Sequence, residues 1–156
     1  DVDWLSVIDA NLSGTYRVTR AALWHIPGDG HGRVVNISSV LGVWGVPETP
    51  AYVAAKHGVI GFTRSVALEV AQRGICVNAV CPGWTTSAMS TQVIAYNAAR
   101  HGISVEAFRA SVVKSMPIGR LLEPREIAQT VLHLAGPGGS GITAQVFRVD
   151  GGQTPF

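Results

Sequence analysis

The sequence predicts an α/β fold, a doubly wound parallel sheet flanked by helices. Two short apolar runs, RVVNIS and ICVNAVC, have the β-branched, unalternating character of strands buried on both faces. A third run, AQVFRVD, closes the chain after a further helical stretch. Strand, helix, strand, helix, strand in that order implies parallel pairing with right-handed crossovers.

Taken in order, the opening stretch DVDWLSVIDANLSGTYRVTRAALWHI sets Leu5, Ile8, Leu12, Tyr16, Val18, Ala22 and Leu23 roughly at helical spacing. Asp1 suits a helix N-terminus. PGDGHG ends that helix, and RVVNIS follows as the first strand. A loop over 42–50 leads into a long helix over about 51–72, which Arg73 and Gly74 close. ICVNAVC is the second strand, ended by Pro82 and Gly83. Residues 85–115 are a more polar insertion that reads as one or two helices. Glu123 and Pro124 open the next helix, with proline at the favoured first position. The glycine-rich GPGGSGIT follows a helix and precedes a strand. That is the reverse of a phosphate loop, so it reads as a plain turn.

Composition sets the outer bounds. The 156 residues suffice for one domain with a core. Hydrophobic residues make up 47% and charged ones 14%, which points to elements covered on both faces or by partner subunits. The net charge of +2, without a block of like charges, argues against a nucleic-acid partner. No apolar run approaches the ~18 residues of a membrane span, and the start carries no signal-peptide pattern. Cys76 and Cys81 read as reduced structural thiols of a cytoplasmic protein. The five histidines form no ligand pattern, so no metal site is expected.

The chemistry-bearing stretch is SSVLGVWGVPETPAYVAAK, residues 38–56. Tyr52 and Lys56 stand at i and i+4, on one helical face. A phenol is a poor acid or base at neutral pH, and a fixed positive charge beside it favours the phenolate. Lys56 is placed to supply that charge and to lower the tyrosine pKa. Ser39 lies at the C-terminal end of a predicted parallel strand, the edge where open α/β sheets build sites, and could orient a substrate carbonyl. Asn11 is a further polar candidate in the first helix. The spacing alone is common on ordinary helices. Trp44, Trp84 and Met89 stand in loops near these residues, as pocket lining or as simple packing.

The motifs NLSG, GRVVNISSVLG, YVAAK, RGICVNAVCPGW, PIGRLLEPREIAQTVLHLA and VDGG occur in the order of the short-chain dehydrogenase/reductase family. The chain resembles that family from about residue 4 to its end, as one catalytic portion of a Rossmann-type domain. Within it, the chain most resembles 3-oxoacyl-carrier-protein reductases and aromatic polyketide ketoreductases, with 3-hydroxybutyrate-type dehydrogenases close behind. The resemblance implies a catalytic tetrad of Asn11, Ser39, Tyr52 and Lys56. Tyr52 would exchange the proton and Ser39 would polarise the carbonyl. Lys56 would tune Tyr52 and hold the nicotinamide ribose, and Asn11 would support a water relay. CPGWTTSAM is similar to the family's nicotinamide-side loop, with Pro82, Gly83, Thr85 and Ser87 as cofactor contacts and Thr86 as an alternative hydroxyl. Residues 85–115 would then form a substrate lid.

The resemblance also implies NAD or NADP as cofactor, with NADPH favoured, and a small carbonyl or alcohol substrate, thioester-linked in some relatives. It implies a homodimer or homotetramer assembled through the first helix and the Tyr52 helix. The family's glycine-rich cofactor turn, Gly-x-x-x-Gly-x-Gly, is not in this sequence. The chain is therefore expected to be the catalytic half of a longer reductase, the competing expectation being a truncated, non-catalytic subunit.

Overall fold

Three parallel strands run side by side in the order β1–β2–β3 in the computed structural model, which describes residues 4–154. They are β1 (Arg33–Ile37), β2 (Cys76–Pro82) and β3 (Val146–Val149). Arg33 to Ile37 stand opposite Cys76 to Val80, and Ala79 to Pro82 opposite Val146 to Val149. The helix-start residue Asp1 lies outside the described residues.

The first helix is predicted as one regular piece, and here the structure differs. It consists of α1 (Trp4–Ile8), a π-helical turn (Asp9–Ser13) and α2 (Gly14–His25), all with helical backbone. The Gly14 amide donates to the Asp9 carbonyl, one residue further back than an α-helix reaches. Nothing in the apolar spacing signals this insertion, because both flanks keep the same helical sense.

Helix α3 (Pro50–Val70) begins with proline at its first position and buries Ala55, Val59, Ile60, Thr63, Val66, Ala67 and Val70. Strand residues alternate faces. Val77 packs with Val66, Ala67, Val70 and Ile75, while Ala79 and Cys81 pack with Ile60 and Val146. Each fully buried aliphatic side chain here contributes about 1.5–3 kcal/mol. A polar bridge crosses the same face. Asn36 Nδ2 donates to Thr63 Oγ1 at 2.9 Å, and Thr19 Oγ1 of α2 donates to Asn36 Oδ1 at 3.2 Å. On the opposite face Ile37 shares a groove with α6 (Pro124–Ala135).

The end of α3 is as the sequence predicts, with a short 3-10 turn (Ala71–Arg73) before Gly74 at φ 69°. A Cβ at Gly74 would also lie 2.6 Å from the Gly30 Cα, so both backbone conformation and space require glycine. Arg73 does more than end a helix: its Nη2 donates to the carbonyls of Leu23 and Ile26 and caps α2. The glycine-rich segment forms a 3-10 turn (Pro137–Gly139), in accordance with its reading as a turn. Cys76 and Cys81 are buried free thiols. Among the described residues no helix is long and apolar enough to cross a membrane.

The insertion folds as α4 (Ala88–His101) and α5 (Val105–Lys114). Ser87 and Ser104 cap their N-termini, and Gly102 ends α4. Ile94, Val112 and Leu121 form a separate apolar cluster with Trp84, Phe108 and Val113. At its base the chain is cross-linked by an isolated parallel bridge between Thr85 and Leu122. The Leu122 amide donates to the Trp84 carbonyl at 2.9 Å, and the Thr86 amide to the Leu122 carbonyl at 2.8 Å.

Candidate active site

The C-terminal end of β1 turns directly into a 3-10 turn (Val40–Gly42), and this turn places both serines. Ser39 is its N-cap, with Oγ accepting from the Leu41 amide at 3.1 Å. The Ser38 amide donates to the Val80 carbonyl, which extends the β1–β2 ladder by one bond. The Ser38 hydroxyl points to α3 instead and donates to the Lys56 carbonyl at 2.8 Å. Two adjacent serines thus serve different partners, and Ser39 is the one close enough to Tyr52 to favour its ionised form.

Tyr52 lies in the first turn of α3 and Lys56 one turn later, as their spacing predicts. The Lys56 Nζ is 5.5 Å from the Tyr52 ring centre and donates to the Ile37 carbonyl at 3.2 Å. One expectation is corrected here. The sequence predicts a tyrosine pKa below its ordinary value beside Lys56, whereas burial pushes the Tyr52 phenol above that value, opposed by Ser39. Burial also pushes the Lys56 ammonium down, and the neighbouring Cys81 works the other way. Desolvation is the larger influence on both groups, opposed at the phenol by Ser39 and at the ammonium by Cys81, and the ammonium is bonded to a carbonyl rather than to the phenol.

Asn11 lies in the π-helical turn, and that turn packs against α3. A Cβ at Gly58 would fall 2.8 Å from Leu12 Cδ2, so the glycine permits this close approach. The Asn11 side chain donates to the Val7 carbonyl at 3.0 Å, and its own carbonyl accepts from Thr15 Oγ1 at 2.9 Å. Single π turns within α-helices recur at functional sites.

Pro82 ends β2, and Gly83 is pressed onto the loop after β3. A Cβ there would lie 2.9 Å from the Asp150 Cα and 2.8 Å from Gln153 Oε1. Because Trp84 and Thr86 make the bridge to Leu122, the Thr85 amide and carbonyl point away from it. Pro82, Thr85 and Ser87 line one side of an apolar groove of about 650 Å³, with Ile37 and α6 on the other. The Ser87 hydroxyl accepts from the Ser90 amide in a capping box. Of the three substrate candidates, Trp84 packs into the insertion's own cluster. Trp44 is 47% exposed and Met89 69%, and neither lines the groove.

Sequence reasoning missed three features of this region. The Ser38 hydroxyl bond and the buried Cys81 thiol beside Lys56 depend on contacts between distant segments. The third is an ion pair at 3.2 Å between Arg100 on α4 and Glu48 in the loop before Tyr52, where Glu48 adopts φ 69°.

Fold and site together define a Rossmann-type α/β protein with a serine, a tyrosine and a lysine at one sheet edge. The chain belongs to the short-chain dehydrogenase/reductase family. A family model described as enoyl-(acyl carrier protein) reductase matches residues 1–154. The chain is 40% identical over 152 residues to the 3-oxoacyl-(acyl-carrier-protein) reductase FabG of Vibrio harveyi, covering 97% of this chain and 58% of that protein. It is 35% identical over 150 residues to a D-beta-hydroxybutyrate dehydrogenase of Cupriavidus necator, covering 96% and 58%. The crystal structure of a point variant of actinorhodin polyketide ketoreductase with NADPH superposes with a TM-score of 0.90 at 40% identity, covering 98% of this chain and 59% of that one. The chain therefore spans somewhat under three fifths of the relatives it matches.

Proposed function

We propose that this chain is the catalytic part of an NAD(P)-dependent ketoreductase, with NADPH as the cofactor. It would interconvert a 3-oxoacyl or polyketide-like ketone and its secondary alcohol. The observation that carries this reading is the meeting of Ser39, Tyr52 and Lys56 at the carboxyl end of β1, where open parallel sheets place their ligands. The names of its relatives, a 3-oxoacyl reductase and a polyketide ketoreductase with NADPH, support the substrate class and the cofactor.

The apolar groove beside Pro82, Thr85 and Ser87 suits the flat nicotinamide, and the Thr85 amide and carbonyl suit its carboxamide. Gly83 and Ser87 complete that side, and Lys56 would hold the ribose. A nicotinamide bound there supplies the hydride. The substrate oxygen would lie between the hydroxyls of Ser39 and Tyr52. Ser39 donates to it and holds the carbonyl. Tyr52, kept protonated by its buried position, gives its proton to the oxygen as negative charge develops. The phenolate left behind faces the Lys56 ammonium. Asn11, on its π turn against α3, would seat the water through which Tyr52 is reprotonated. Helices α4 and α5 form the lid that excludes bulk water.

The outer face of α1 and α2 leaves Leu5 74%, Val18 71% and Trp24 82% exposed. Leu68 on α3 is also exposed. Such a face suits a second copy, so a cytoplasmic homodimer or homotetramer is part of the proposal. Turnover of NADPH with a 3-oxoacyl thioester by the complete gene product tests the reading. The Tyr52→Phe variant should lose a factor of about 10²–10⁴ in kcat. A near-normal rate would remove Tyr52 as the acid.

A further inference from the structure

The Lys56 side chain is held by a single peptide unit of the sheet. The carbonyl of Ile37 accepts from the Lys56 ammonium at 3.2 Å. The next residue, Ser38, donates its hydroxyl proton to the Lys56 backbone carbonyl at 2.8 Å. The amide joining the two donates to the Val80 carbonyl of β2 at 2.8 Å, so the unit itself is anchored in the ladder. Lysine is thereby fixed at its head and at its root by the same stretch of chain.

We propose that Ser38 is a positioning residue for the tyrosine–lysine pair, holding Lys56 by its backbone so that the ammonium stays over Tyr52. This rests on the reading of Tyr52 as the proton donor. A carbonyl in mid-helix has a second lone pair beyond its α-helical bond, and the Ser38 hydroxyl uses it to draw α3 onto the end of β1. Gly42 makes the approach possible. A Cβ there would strike Ser38 Oγ and lie 2.8 Å from the Lys56 carbonyl. Ser38 is 3% exposed, so water cannot replace this bond without the corner opening. The buried Cys81 thiol lies beside this serine; burial pushes it up, while Ser38, the Ser39 amide and Lys56 pull the other way. The titratable groups facing Lys56 are then Tyr52 on its own helix and Cys81 on β2, with Arg148 acting on Cys81 from β3. An unanchored lysine has many rotamers, and only a few keep its charge near the ring.

The test compares Ser38→Ala, Gly42→Ala and Tyr52→Phe in the complete gene product, reading kcat over pH, the spectroscopic titration of the phenol and the melting temperature. Removing one hydroxyl leaves no bulk to accommodate, so Ser38→Ala folds. We expect its kcat to fall about five- to tenfold, the scale of one lost hydrogen bond, with the phenol titrating at higher pH than in the parent. Gly42→Ala should move the titration in the same direction while lowering the melting temperature more. A Ser38→Ala titration and pH profile that coincide with the parent would overturn the proposal, whatever happens to the rate, since packing alone would not set the tyrosine's ionisation. If Tyr52→Phe retains near-normal turnover, the site reading fails and this proposal falls with it. An inactive Tyr52→Phe beside an unmoved Ser38→Ala titration refutes the role of Ser38 alone.

Discussion

The Lys56 ammonium stands 5.5 Å from the centre of the Tyr52 ring while bonded to the carbonyl of Ile37. The cation is thus tied to the sheet, not to the phenol, and it acts on the tyrosine through space. Replacing Lys56 by Met keeps the stem's packing and removes the charge. The expected outcome is a fall in kcat on the order of 10², with the phenol titrating still higher, because an opposite charge at this range favours the ionised form. Turnover and ultraviolet titration of the same preparation check both parts. An unchanged titration would show that the cation is too well screened to matter.

The raised phenol predicts a direction-dependent pH response. Ketone reduction needs the protonated tyrosine, so its rate should hold across the neutral range and fall only as alkaline pH removes the proton. Alcohol oxidation needs the phenolate, so its rate should climb over the same alkaline range. Profiles measured in both directions decide this. A reductive rate already falling near neutrality would contradict the burial-dominated phenol.

Asn36 joins β1 to both α2 and α3 through two buried hydrogen bonds. Truncation to Ala leaves the hydroxyls of Thr19 and Thr63 without these partners in a dry layer. The expected loss is about 2–3 kcal/mol, read as a shift in the urea midpoint. Thr19→Val removes one bond and should cost less. The double variant should fall short of the sum, since the two residues share a network.

Glu126 near the start of α6 accepts two hydrogen bonds from Arg120 and a third from the Glu123 amide. These hold its carboxyl at about 2, against an ordinary 4.5. The folded value is the lower one, so the stabilisation is fully present above the unfolded value and disappears as pH falls toward about 2. The parent melting temperature should therefore decline over that acid window more steeply than that of Glu126→Gln. Parallel slopes would show that the pair gives no pH-linked stability.

Glu48 adopts φ 69° and pairs with Arg100 on α4. The left-handed backbone costs a non-glycine residue roughly 1–2 kcal/mol, while an exposed ion pair returns about 0–1 kcal/mol. Glu48→Gly should therefore be neutral to slightly stabilising, although it cuts the link to α4. Glu48→Gln keeps the strain and loses the charge, so it should melt lower than Glu48→Gly. The opposite order would mean that the ion pair outweighs the strain.

Much of the fold is legible in the sequence because its signals are local. The strands show as unalternating apolar runs, the helix ends as Gly74 and Pro124, and the insertion as one or two helices. Tyr52 and Lys56 are brought together by helical periodicity alone, and Ser39 by the length of one short turn. What could not be read depends on chain segments meeting from afar. The direction of the Tyr52 shift follows from how deeply the corner is buried, which no spacing records. The π turn at Asn11 leaves the apolar pattern intact on both sides. Trp84 reads equally as pocket or packing until Phe108 and Leu121 close over it.

The bridge between Thr85 and Leu122 has a consequence for how such a chain can diversify. The segment between these residues is stitched at this neck and carries its own apolar cluster, while the Arg100–Glu48 pair and the Ile118 amide, which donates to the Gly151 carbonyl at 3.1 Å, also tie it to the body. Its length and composition can therefore change while the strands, Ser39, Tyr52 and Lys56 keep their places. A cassette of this kind can vary apart from the residues at the end of β1, by replacement of the contents above a fixed seam.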